Sequence, residues 1–168
     1  MKMCRLLLAI ILLAGFNVKA EQDVALIEAM YIYNFLRYIE WPGTSVGDNF
    51  VIGVYGDSNT LDHLIKYTQN RKVGIKTIEV KKVSNLSEAK KCQVLFLPAE
   101  SVNVIQQLRS HVGNSPCMIV SEVSGTNQLG STVEFIFENN KLKFKIDVAR
   151  AQQQNLMVSK ALIDMSSS

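Results

Sequence analysis

The chain is poor in the residues that make a catalytic site recognisable. It has two histidines, His63 and His111, in 168 residues. Neither has an aspartate three residues before it, and no histidine follows residue 111. Its three cysteines, Cys4, Cys92 and Cys117, are scattered, so no pair has the close spacing of a zinc site. Gly53 and Gly56 stand without the glycine-rich spacing and lysine of a phosphate loop. A strong charge imbalance is also missing, with 18 basic residues against 15 acidic. A generic nucleic-acid binder needs a large basic footprint, so no nucleic-acid partner is expected. Internal repeats, low-complexity tracts and long linkers are absent, which suits one domain with one core. Beyond residue 20 no apolar run reaches the roughly 20 residues of a membrane span.

What is present begins at the amino terminus. Lys2 and Arg5 flank the start of an apolar run from Leu6 to Phe16, and Val18-Lys19-Ala20 closes it with small residues. That is the layout of a secretory signal peptide. The run is too short to span a bilayer, and Cys4 precedes it, which does not suit a lipoprotein acylation site. Cleavage after Ala20 is expected, leaving residues 21–168 as one exported domain. Loss of Lys2, Arg5 and Lys19 lowers the basic count from 18 to 15, equal to the acidic count. An exported compartment permits a disulfide. Cys92 and Cys117 each begin a buried-looking strand, and neighbouring strands about 4.8 Å apart lie within disulfide reach. The alternative is two unpaired thiols serving as small apolar side chains.

The pattern of apolar residues predicts alternating helices and strands. Val24, Ile27, Met30, Tyr31, Phe35 and Tyr38 recur at helical spacing over residues 21–40, and Trp41-Pro42-Gly43 stops that helix. Residues 50–55 form a buried strand, and Gly56 to Asn59 a turn with several N-cap residues. A helix with Leu61, Leu64, Ile65 and Thr68 on its face follows. Residues 78–83 make a strand whose Lys81 and Lys82 suit an edge. Asn85 and Glu88 cap a short helix to Lys91. Residues 94–97 and 117–121 are buried strands, separated by a helix with Val104, Ile105, Leu108 and Val112 that Gly113 ends. The hairpin Thr132–Ile146 turns at Asn139-Asn140, and a final helix from Val148 is interrupted near Asn155. The expected fold is a three-layer α/β/α sandwich with a mostly parallel mixed sheet. A C-terminal antiparallel hairpin and helix complete it.

Few groups in this frame carry chemistry. Tyr55-Gly56-Asp57-Ser58 resembles the nucleophile block of the GDSL-type hydrolases. A serine of that kind needs a histidine to take its proton, and the late Asp-x-x-His motif of those enzymes is missing. Asp57 and Ser58 are therefore expected to cap a helix, whose start offers at most a weak anion site. Lys141, Lys143 and Lys145 form a basic row on one strand face, suited to an anionic ligand, an acidic partner or plain solvation. Trp41, the only tryptophan, is a candidate partner anchor or a residue packed on its own helix. No metal or cofactor site is recognised.

Four segments together resemble the YfiR-like family of periplasmic proteins. They are the helix Ala29 to Tyr38 with Ile39-Glu40-Trp41-Pro42 after it, Phe50 to Asp57, Cys92 to Leu97, and Phe144 to Asp147 followed by Ala151, Leu156, Ser159 and Leu162. Asp147 stands where the family usually has asparagine, Asn155 where it has glycine, and Gly130-Ser131 where it has a glycine pair. The resemblance implies a periplasmic, non-enzymatic repressor without cofactor. Such a protein binds the periplasmic sensory region of a membrane diguanylate cyclase and restrains cyclic-di-GMP signalling and biofilm attachment. An outer-membrane protein that sequesters the repressor is a second implied partner. Trp41, Lys143, Lys145 and Arg150 are the candidate contact residues, on the C-terminal strand and helix and beside them. The competing expectation is a small-molecule sensor using the strand ends near Gly56 and Arg150.

Overall fold

A computed structural model describes residues 24–42 and 48–167; the expected signal peptide lies outside them. Helix α1 covers residues 24–38. Its buried stripe is Ala25, Glu28, Ala29, Ile32, Phe35 and Leu36, with Ile27 and Met30 exposed. The expected face is thus rotated: Ala25, Ala29, Ile32 and Leu36 join Phe35 in the core, in place of Ile27 and Met30. The helix stops at Tyr38, two residues early, because Ile39–Glu40 (β1) pairs antiparallel with Met157–Val158 (β9) near the C terminus.

The main sheet has seven strands in the order β3-β4-β2-β5-β6-β7-β8. These are β2 (Asn49–Tyr55), β3 (Lys72–Val73), β4 (Lys76–Val83), β5 (Val94–Leu97), β6 (Met118–Ser121), β7 (Val133–Glu138) and β8 (Lys141–Ile146). Strands β4, β2, β5, β6 and β7 run parallel, and β3 and β8 pair antiparallel at the two edges. The expected sandwich with a mostly parallel mixed sheet is present. Strand β4 is not the outermost strand: Lys72 and Val73 fold back on Thr77 and Lys76 and cover one end of it.

Helices cover both sheet faces, as parallel strands require. On one side α1, α2 (Asn59–Thr68), α5 (Val148–Gln153) and α6 (Lys160–Met165) pack over Ile52, Val54, Val94, Phe96, Met118 and Val120. On the other, α3 (Leu86–Ala89) and α4 (Ile105–Val112) pack over Leu95, Leu97 and Ile119. Successive side chains of β5 alternate between the two cores, the period-two consequence of strand geometry. Gly53 in β2 stands where the sheet leaves no room for a side chain. A Cβ there would lie 2.6 Å from Cys92 Sγ and 2.7 Å from Val83 Cγ2. Gln154 is fully buried and closes the gap between α5 and the sheet. Its Oε1 accepts from the Thr132 hydroxyl at 2.8 Å and its Nε2 donates to the Cys117 carbonyl at 2.6 Å. No helix among the described residues is long and apolar enough to cross a membrane.

Candidate functional site

The chain leaves β2, forms β4 on one side, and returns to form β5 on the other. This reversal puts a crevice at the carboxyl ends of β2 and β5, the place where open α/β sheets accept ligands. A cleft of about 710 Å³ lies there, lined by α1, the start of α2 and the loops after β5 and β6. Its floor is acidic: Glu28, Asp57, Asp62, Glu100 and Glu122 all reach it, with Ser58 and Thr60 between them.

Glu28 is the chemically unusual member. It is 1% exposed, and its Oε2 accepts from the Thr60 hydroxyl at 2.8 Å. Its Oε1 is buried without a hydrogen-bond partner. Burial, reinforced by the nearby Glu122 carboxylate, pushes the Glu28 carboxyl up to about 8, against the smaller opposing pull of the Thr60 bond. The group is therefore largely protonated at neutral pH.

Ser58 and Asp57 are placed by the turn that starts α2. Gly56 holds φ 80°, a left-handed angle that suits glycine, and sends the chain from β2 into the helix. The Ser58 hydroxyl accepts from the Thr60 amide at 3.2 Å, so it serves as the expected N-cap. Among the described residues no hydrogen bond joins Ser58 to His63, and His63 does not line the cleft. The arrangement lacks the base that a serine nucleophile needs. Asp57 pairs with Lys82. The surrounding carboxylates oppose an anion at this helix start and favour a ligand that brings positive charge or hydrogen-bond donors. The described residues contain no group of three or more His, Cys, Asp or Glu side chains arranged to hold a metal.

The other candidate residues are dispersed. Trp41 is half-buried: its indole N–H donates to the Gln93 carbonyl at 3.2 Å, and its ring meets Phe50 edge-on at 4.9 Å. It is built into the base of β2 and β5. Lys143 pairs with Glu138 across the hairpin. Leu142, Phe144 and Ile146 pack into the core beneath α1 and α6, so Lys143 and Lys145, alternating with them, point to the opposite face of the sheet. Arg150 does not offer charge at a surface rim. It is 7% exposed, because its Nη2 donates to the Gly113 carbonyl at 2.8 Å and closes the end of α4. Cys92 and Cys117 are buried and free. Their sulfurs lie near successive carbonyls, those of Glu88 and Ala89, and burial raises the Cys92 thiol to about 11 and the Cys117 thiol further.

Glu28 escaped the sequence reading, although a signal for it existed. It lies three and four residues from Ala25 and Ile32, on the stripe that packs inward. A carboxylate on an inward stripe is either paired or neutral.

Comparison with curated proteins finds no match. A family model described as YfiR/HmsC-like matches residues 25–167, from the first buried turn of α1 to the residue whose amide bonds the Phe144 carbonyl. With nearly the whole described fold inside that match, the chain belongs to the YfiR/HmsC-like family.

Proposed function

We propose that this protein is a periplasmic, non-catalytic repressor. It is exported by a leader cleaved after residue 20, and residues 21–168 act as one domain. That domain binds the periplasmic sensory region of a membrane diguanylate cyclase and holds it inactive; an outer-membrane protein that sequesters the repressor relieves the inhibition. Membership of the family supports a role in regulating diguanylate cyclase signalling.

The observation that carries a contact role is the one-sided distribution of exposed apolar side chains. Among the described residues, ten large apolar side chains are exposed. Seven of them sit on one helical layer with β9: Leu26, Ile27 and Met30 on α1, Ile65 on α2, Met157 on β9, and Ile163 and Met165 on α6. Exposed apolar surface gathered on one side marks a contact face. Helices α3 and α4, on the other side, expose none. Strand β9 and helix α6 therefore belong to the proposed interface, whereas Lys143 and Lys145 of β8 lie across the sheet from it.

Two measurements test this reading. The protein without residues 1–20, used as bait in an envelope extract, is expected to capture a membrane diguanylate cyclase. Deleting the gene is expected to raise cyclic-di-GMP and adhesion. Unchanged cyclic-di-GMP in the deletion strain, with the cyclase present, would overturn the proposal.

A further inference from the structure

A second cavity, of about 370 Å³, opens between the end of α4, the 3-10 turn Thr126–Leu129 and the start of α5. Its character is opposite to that of the acidic cleft. Arg109 and Arg150 line it together with Gln106, Ser110 and Gln128, and no carboxylate does.

The two guanidiniums are held there by the fold. Arg109 lies across Gly130: a Cβ at that position would come within 2.2 Å of Arg109 Cδ. Gly130 has φ 120°, so both the space and the backbone conformation call for glycine. Arg150 is anchored from beneath. Asp147 caps α5 by accepting from the Arg150 amide at 2.8 Å, and Arg150 Nη2 reaches the Gly113 carbonyl at 2.8 Å. Its Nη1 makes only a long contact, 3.5 Å, with Gln153 Oε1. Its Nε–H is buried with no partner at all.

Closing α4 accounts for one donor of Arg150 and for nothing about Arg109. Among the described residues neither guanidinium forms a salt bridge with a carboxylate. Asp147 attracts Arg150 weakly from a distance, but its capping oxygen is committed to the backbone. The fold thus holds two like charges side by side, one of them buried with an unused donor. Burial and the neighbouring Arg109 both work against the charge on Arg150. An anion between the two side chains removes both penalties, and the planar forks of arginine match carboxylate and phosphate oxygens.

We propose that the Arg109–Arg150 pocket binds a small ligand through a carboxylate or phosphate group, with Gln106, Gln128 and Ser110 supplying neutral hydrogen bonds around it. The site is separate from the proposed cyclase contact, and its test does not depend on that reading. The probes are inorganic phosphate and acetate, with chloride at matched ionic strength as the reference. Calorimetric titration and the shift in unfolding temperature of the purified protein give the readouts. At least one of the two anions is expected to bind saturably beyond chloride, and the tighter of them assigns the ligand class. Arg109→Gln, an exposed change that leaves Arg150 and the end of α4 in place, is expected to weaken that binding at least tenfold. Arg150→Gln tests the buried member where it folds; Arg109→Gln decides the question where it does not. Failure of both anions to exceed chloride, or equal binding by Arg109→Gln and the unaltered protein, overturns the proposal.

Discussion

Glu28 is the side chain with most at stake when the pH rises. In the unfolded chain it titrates as an ordinary carboxyl, near 4.5, whereas burial and Glu122 hold it near 8 in the fold. Between those limits the unfolded state has released a proton that the native state keeps. Stability therefore falls as pH rises through this window. Glu28→Gln keeps the acceptor for Thr60 and removes the ionisation. It should differ little from the unaltered protein at pH 4 and exceed it by roughly 4 kcal/mol at pH 8, since each unit between 4.5 and about 8 is worth ~1.4 kcal/mol. Urea unfolding at the two pH values checks this; a difference that does not grow with pH would count against the assignment. Residue roles were legible where they are local. Ser58 and Asn85 sit directly before helices, and each caps the helix that follows through its own side chain, as expected. Roles that depend on distant neighbours were not. The burial of Arg150 requires Gly113, 37 positions away, and Trp41 is tied down by Gln93, 52 positions away. Neither pairing leaves a trace in local spacing.

At the scale of elements, asparagine marks two of the sharpest changes of direction. Asn139 and Asn140 hold φ 51° and 61° at the tip of the β7–β8 hairpin, as the two-residue turn requires. Asn155, at φ 57°, ends α5 and turns the chain toward β9. A side chain branching from Cβ without a local polar group pays more for this angle than asparagine, and glycine pays nothing. Asn155→Ala is expected to cost about 1 kcal/mol, and Asn155→Gly to cost nothing or stabilise slightly. Thermal unfolding of the two variants distinguishes them; equal losses in both would show that the side chain, not the angle, matters. The long strands and amphipathic helices were visible from periodicity because their burial repeats. The two-residue strands β1, β3 and β9 were not, since two residues carry no period. Strands β1 and β9 exist because Ile39 meets Val158 and Glu40 meets Met157 across more than a hundred positions. The same pairing converts what looked like a longer opening helix into a helix and a strand.

For the whole molecule, the sheet separates two kinds of surface. The layer of α1, α2, α6 and β9 buries the larger core and still leaves Ile27, Met30, Met157 and Ile163 exposed. Across the sheet, the β8 lysines face solvent, with Lys143 engaged by Glu138. This division could not be read from the sequence. It depends on which side of the sheet each helix crosses, and a helix that buries one stripe gives no sign of what its opposite stripe will meet. The proposed cyclase contact gains a sharp test from it. Ile27→Glu and Ile163→Glu change exposed positions, so each should alter folding stability by no more than about 0.5–1 kcal/mol. A charge placed in an apolar contact is left unpaired on binding, so either change should weaken cyclase binding at least about tenfold. Lys143→Ala, on the far face, should change it less than about twofold. Cells carrying Ile27→Glu should then show cyclic-di-GMP as high as cells lacking the gene, with the variant present in the envelope at normal abundance. Normal repression by both glutamate variants would move the contact off this layer. Loss of repression only in Lys143→Ala would place it on the opposite side of the sheet, where salt should weaken binding strongly because exposed charges are screened over about 8–10 Å.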